Sequence, residues 1–135
     1  MLPPAMILSL HQPATQMDLA CCAVTTTMQV WAMAKVQLKL GPSWAVRLAD
    51  GEALICGGYI FRDEETCDAW FMASPAAARH MVRIIRIIRL TGIPAPYRRA
   101  ITFVTTPEGR RIARACGFRF LMTRDDGMEV FEWLA

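Results

Sequence analysis

Two hydrophobic periods run along the chain. From residue 15 to residue 34, apolar side chains recur at Met17, Ala20, Cys21, Val24, Met28, Trp31 and Met33, approximating one face of a helix. Thr25-Thr26-Thr27 weakens that face, because β-branched residues are poor helix formers. Gly41-Pro42 punctuates, and the period then changes to two. Trp44, Val46 and Leu48 alternate up to Asp50-Gly51, a hairpin signal, and residues 53–62 form the returning strand. Gly57-Gly58 within it points to a bulge or to the close approach of another backbone.

An acidic loop follows, then a buried strand over 69–73. Ser74-Pro75 supplies a helix cap with proline at the first helical position, and the pattern predicts a long helix over 74–90 that Thr91-Gly92 stops. Residues 100–105 read as a β-branched strand. Thr106-Pro107-Glu108 starts a second helix through Cys116, with Gly117 where a left-handed cap is wanted. Residues 118–123 and 128–134 form a closing hairpin around Asp125-Asp126-Gly127. The expected organisation is a single domain over 1–135, with an N-terminal helical region over 1–40 and sheet and helices over 44–135.

Composition agrees with a domain that buries a core. The chain has 135 residues, 54% of them hydrophobic and 20% charged, a balance that excludes disorder, collagen and coiled coil. The charge-free apolar run of residues 53–61 falls far short of the ~20 residues a membrane-spanning helix needs, so no membrane partner is expected. Residues 1–34 hold no Lys or Arg and one acid, Asp18, whereas an export signal needs a basic start and a longer apolar run than 6–10. Five cysteines, Cys21, Cys22, Cys56, Cys67 and Cys116, form no C-x-x-C pair, which favours reduced thiols and a cytoplasmic setting. His11 and His80 lie far from each other and from any cysteine pair, so no metal site is expected.

Charge changes the picture more. Residues 79–124 hold eleven arginines and one acid, Glu108, while acids gather at Asp63-Glu64-Glu65 with Asp68 and at Asp125-Asp126 with Glu129 and Glu132. Arg79, Arg83, Arg86 and Arg89 recur at helical spacing opposite Met81, Ile84, Ile85 and Ile88. That stripe is either a phosphate-binding face or the solvated side of an amphipathic helix. Convergence with Arg98-Arg99 and Arg110-Arg111 would favour nucleic acid, although no aromatic residues interleave with the arginines to stack bases. Trp31, Trp44, Trp70 and Trp133 read as core or interface anchors.

From Trp44 onward, the hairpin before the acidic loop, the strand leading into the 74–90 helix, the strand 101–105 and the junction Ala113-Arg114-Ala115-Cys116-Gly117-Phe118 resemble the GNAT superfamily of acyl-CoA-dependent N-acyltransferases. The resemblance implies an α+β, three-layer fold with a mixed, mostly antiparallel central sheet flanked by helices. It implies acetyl-CoA as cofactor and transfer of an acetyl group to an amine. The cofactor would lie along Met72, Ala73, Ser74, Ala78, Arg79, His80 and Arg83, the strand backbone holding the thioester carbonyl and the helix start facing the pyrophosphate. Asp68 and Glu65 are the carboxylates placed to take the amine's proton. Two family features are absent: the glycines of the pyrophosphate loop are replaced by Ala76-Ala77-Ala78, and Ala113 stands where the family often has an acidic tyrosine. The chain also looks like a GNAT-like family of tailed phages linked to virion assembly. That likeness implies a catalytically silent protein acting through protein partners or self-association, in the host cytoplasm or the virion.

Overall fold

The computed structural model describes residues 7–23, 27–94 and 96–135, and within them seven strands and four helices. In chain order these are β1 (Leu8–His11), α1 (Gln16–Cys22), α2 (Met28–Leu40), β2 (Ser43–Leu48), β3 (Ala53–Phe61), β4 (Thr66–Ala73), α3 (Met81–Thr91), β5 (Arg99–Val104), α4 (Pro107–Ala115), β6 (Arg119–Thr123) and β7 (Glu129–Leu134). The strands form one mixed sheet in the order β1-β2-β3-β4-β5-β7-β6. The chain divides into two units, one built from the described part of 1–60 with Phe71–Ile84, the other from Phe61–Trp70 with Ile85–Ala135.

In the first unit the expected single helix over 15–34 is two. Thr15 caps α1 reciprocally: its hydroxyl accepts from the Asp18 N–H, and the Asp18 carboxylate accepts from the Thr15 N–H. Thr27 caps α2 by accepting from the Val30 N–H, so the helix restarts where a cap is available. Val24, Thr25 and Thr26, which the sequence pattern placed inside the helix, lie outside the described residues, as does Met6. The N-terminal region is also not wholly helical. β1 pairs antiparallel with β2, Leu8 opposite Leu48 and His11 opposite Ala45.

β2 and β3 form the expected hairpin, with Gly51 at φ +94° in its turn. Gly57 and Gly58 pair regularly with Trp44 and Ser43, and the register slips instead between Val46 and Arg47, opposite Ile55 and Ala53. The irregularity thus lies three residues before the glycine pair. Ala45, Val46, Leu54, Ile55 and Cys56 are fully buried and form the centre of this unit with Leu19 of α1.

The second unit is organised by β5, which pairs antiparallel with β7 along its whole length and in parallel with β4. The parallel ladder covers three residue pairs, Thr66–Arg99, Cys67–Ala100 and Asp68–Ile101, and ends there, five residues before β4 does. α4 begins at the predicted Thr106 cap and ends before Gly117, whose φ of +96° is the left-handed geometry that favours glycine. Val104, Ala113 and Phe131 form a core cluster against which Phe118 packs.

Candidate functional site

The sequence-predicted cofactor residues are continuous in the first unit. β4 ends at Ala73, and Ser74 leaves it in extended geometry, its N–H donating to the Leu54 carbonyl oxygen at 2.8 Å. The predicted long helix is not α-helical from its start. Pro75–His80 is a 3₁₀ helix in which the Ala77 N–H donates to the Ser74 carbonyl, and α3 continues it from Met81. Proline at the first position and a run of three alanines give the backbone no side-chain reason to unwind, and the tighter turn closes on Ser74 itself.

Three properties of this junction bear on its capacity to hold an anion. No acid stands in the first turn of the helical run, and Arg79 and His80 stand at the end of its 3₁₀ part. The Ser74 hydroxyl is buried and makes no hydrogen bond among the described residues, so a polar group has lost water without gaining a partner. The Arg83 guanidinium donates to His80 Nδ1 at 3.1 Å, which leaves Nε2 as the ring's N–H donor. Met72, Ala73 and Ala76 are half-buried, Ala77 turns its methyl inward, and Ala78 and Arg79 are exposed. The residues therefore suit a phosphate-bearing ligand such as acetyl-CoA: an unpartnered serine hydroxyl, an acid-free helical start with three alanines and an exposed arginine follow one another between residues 74 and 79.

The two candidate carboxylates belong to the second unit. Asp68 is the third residue of β4, half-buried, with Arg62 Nε 2.9 Å from its Oδ1. Glu65 precedes β4 and is exposed. Its backbone carbonyl accepts from the N–H groups of Arg98 and Arg99, and Glu64, Glu65, Tyr97 and Arg98 help line an open cavity of about 630 Å³. Glu65 and Ser74 thus flank opposite ends of one eight-residue strand. Ala113, at the position of the family's tyrosine, is 1% exposed in the Val104–Phe131 cluster, where a phenol has no room.

Sequence reasoning missed the most buried charge among the described residues. Asp18, read from the sequence only as a lone acid, is buried and receives two hydrogen bonds from Arg47, Nε to Oδ1 and Nη2 to Oδ2, both at 2.8 Å. Burial raises its pKa, but the Arg47 and Thr15 hydrogen bonds outweigh that and hold the carboxyl below its ordinary value. The capping-box spacing Thr15-x-x-Asp18 was visible in the sequence; the partner 29 residues away was not.

No family model and no curated protein matches the chain in sequence. Solved structures do match in fold. An IAA acetyltransferase from Bacillus cereus superposes with a TM-score of 0.64 at 7% identity, over 96% of this chain and 100% of that one. A GNAT family acetyltransferase from Elizabethkingia anophelis with acetyl-CoA bound gives 0.62 at 11% identity, over 95% and 98%. A dodecameric spermidine N-acetyltransferase from Vibrio cholerae gives 0.63 at 11% identity, over 94% and 93%. The seven-stranded mixed sheet with its four helices is the fold of the GNAT acetyltransferases.

Proposed function

We propose that the chain is an N-acetyltransferase that binds acetyl-CoA along residues 72–83 and transfers the acetyl group to an amine. The observation that carries the reading is the unpartnered, buried Ser74 hydroxyl at the start of an acid-free helical run bearing Arg79, His80 and Arg83. A solved structure of the same fold with acetyl-CoA bound supports the choice of ligand. The Ser74 hydroxyl and the helix start donate to phosphate oxygens, Arg79 and Arg83 neutralise them, and the His80 Nε2–H adds a third side-chain donor.

Bound acetyl-CoA supplies the activated acyl thioester. The chain's own contribution to the chemistry is orientation and a place for a proton. β4 runs five residues past its ladder with β5, and the backbone at Met72 and Ala73 is assigned to the thioester carbonyl. An attacking amine must shed a proton, and Asp68, ion-paired with Arg62, is assigned as its acceptor, with Glu65 as the alternative.

Calorimetric titration with acetyl-CoA tests the cofactor site. The expected result is micromolar binding that Arg79→Glu weakens about 10-fold or more, the scale of one charge-assisted phosphate contact. Asp68→Asn is expected to lower kcat on polyamine or arylamine acceptors while leaving acetyl-CoA affinity unchanged. No binding at millimolar acetyl-CoA refutes the proposal and leaves a GNAT-shaped scaffold that works through protein contacts, the reading that Ala113 and the missing glycines favour.

A further inference from the structure

Among the described residues three buried side-chain polar atoms make no hydrogen bond: Asp68 Oδ1, Trp70 Nε1 and Ser74 Oγ. Ser74 is assigned to the cofactor. The other two belong to the second unit and to one strand, β4. They stand two residues apart, so their side chains leave the same face of the sheet, with Cα atoms about 7 Å apart. Asp68 is the last residue that β4 pairs with β5, opposite Ile101, while β5 continues to Val104 in register with β7. Trp70 therefore stands just beyond the point where the parallel ladder stops.

The two unfilled atoms need opposite partners. An indole N–H only donates, and a carboxylate oxygen only accepts. Trp70 is 9% exposed, so its N–H has given up water without gaining an acceptor. Asp68 has its charge met by Arg62, whose Nε lies 2.9 Å from Oδ1, yet that oxygen receives no hydrogen bond. The Asp68 side chain keeps 31% of its surface in water, so this stretch of the strand is reachable from solvent.

A ligand that fills both atoms presents a donor to Asp68 and an acceptor to Trp70. The amine of an acetyl acceptor supplies the donor, and the acceptor must be a second group on the same molecule. A polyamine has none, because its nitrogens are protonated near neutral pH and only donate. A carboxylate would set a second anion beside Asp68, where Trp70 brings no positive charge to offset it. A hydroxyl or an amide carbonyl is a neutral acceptor and suits both residues.

We infer that Trp70 is a specificity-determining residue: its indole N–H holds a neutral oxygen of the acceptor substrate while the substrate's amine faces Asp68, so amino alcohols and amino amides are preferred over amines that carry no such oxygen. This specificity rests on the acetyltransferase reading and narrows it to a substrate class.

Acetylation of aminoethanol, aminopropanol and aminopentanol, with amine and hydroxyl at opposite ends, tests it, each against the alkylamine that has a methyl in place of the hydroxyl. At least one pair should favour the amino alcohol in kcat/KM by about 10-fold, the scale of a buried donor that gains its partner. Trp70→Phe keeps an aromatic ring and removes the donor, and the ratio within that pair should fall to about 1. A ratio of two substrates on one variant does not depend on how much of the variant is folded. Binding is read without turnover from the indole N–H signals of the isotope-labelled protein, one for each of its four tryptophans. The Trp70 signal is the one missing from Trp70→Phe, and it should shift with the amino alcohol and not with its alkylamine partner. Equal kcat/KM within every pair, a preference that survives Trp70→Phe, or an indole signal that responds to both amines alike would each overturn the inference. If acetyl-CoA does not bind and no amine is acetylated, the acetyltransferase reading falls, and the indole signal alone decides whether Trp70 holds the oxygen.

Discussion

Replacing Asp18 by Ala probes the one charge that α1 buries. The Asp18 side chain is 3% exposed and Arg47 22%. The substitution removes two charge-assisted hydrogen bonds to Arg47 and half of the capping box at Thr15. Removing one partner of a buried pair costs roughly 3–5 kcal/mol, mainly through the charge left behind. Arg47 retains some access to water, so the lower end of that range applies, and the lost cap adds about 1 kcal/mol. The expected destabilisation is about 3–4 kcal/mol, read from urea unfolding followed by circular dichroism. Asp18→Asn keeps an oxygen for the Thr15 N–H and should lose less. In a double-mutant cycle with Arg47→Ala, the coupling should exceed about 1 kcal/mol, because the second substitution removes the stranded cation. The pH dependence follows from the depressed carboxyl: the folded-state pKa lies below the unfolded value, so the stabilisation is present above about pH 4 and lost as pH falls through the folded pKa. Additive single-variant losses, or a difference between wild type and Asp18→Asn that persists unchanged to pH 2, would refute this account.

Two further outcomes follow from packing and burial. A Cβ at Gly41 would stand 2.0 Å from the Tyr59 carbonyl oxygen, so Gly41→Ala should cost about 1–3 kcal/mol through forced displacement of β3, measured by the same unfolding assay. Burial pushes the Cys116 and Cys67 thiols up to about 11, and Cys56, hydrogen-bonded with Cys22 and itself buried, lies above the ordinary thiol range. In the native state these cysteines should alkylate far more slowly at pH 7 than in urea, by peptide mapping after iodoacetamide. Because their folded pKa values are raised, the unfolded chain gives up its protons first, and stability should fall as pH rises from about 9 toward 11.

The residues that were legible in the sequence carry local chemistry. Gly51, Gly117 and Gly127 all adopt positive φ where turns and a helix end were expected, and β3, β5, α4 and β7 fall within a residue or two of the expected spans. The features that were missed depend on distant chain. β1 has no turn signal of its own and exists because β2 offers it an edge. β4 starts three residues earlier than its apolar run because the Thr66 and Cys67 pairings with Arg99 and Ala100 extend it. That shift places Asp68 within the strand, facing Arg62, rather than at its entrance. The Ser74 site was legible as a cap and a proline, but its orphaned hydroxyl was not: a serine before a helix ordinarily caps it, and here no cap hydrogen bond forms.

Counting charges along the chain overstated the basic surface for the same reason. The eleven arginines of residues 79–124 looked free because their acids lie elsewhere in the sequence, yet Arg99, Arg110 and Arg124 meet Glu132, Glu129 and Asp126 of the closing hairpin, and Arg111 meets Glu108 one helical turn away. Arg114 and Arg124 also lie over the rings of Phe131 and Phe103. Pairs this exposed contribute little to stability, but they lower the local potential that a phosphate backbone would meet. The Arg98-Arg99 and Arg110-Arg111 pairs therefore do not add their full charge to the α3 arginines. Among the described residues Arg79, at the end of the 3₁₀ turn that follows Ser74, belongs to no ion pair. A single phosphate-bearing ligand held at one helix start uses that distribution; a polyanion tracking across the second unit would have to displace its carboxylates first. Salt should accordingly weaken acetyl-CoA binding with the shallow slope of a few phosphate charges, not with the steep slope of a nucleic-acid complex.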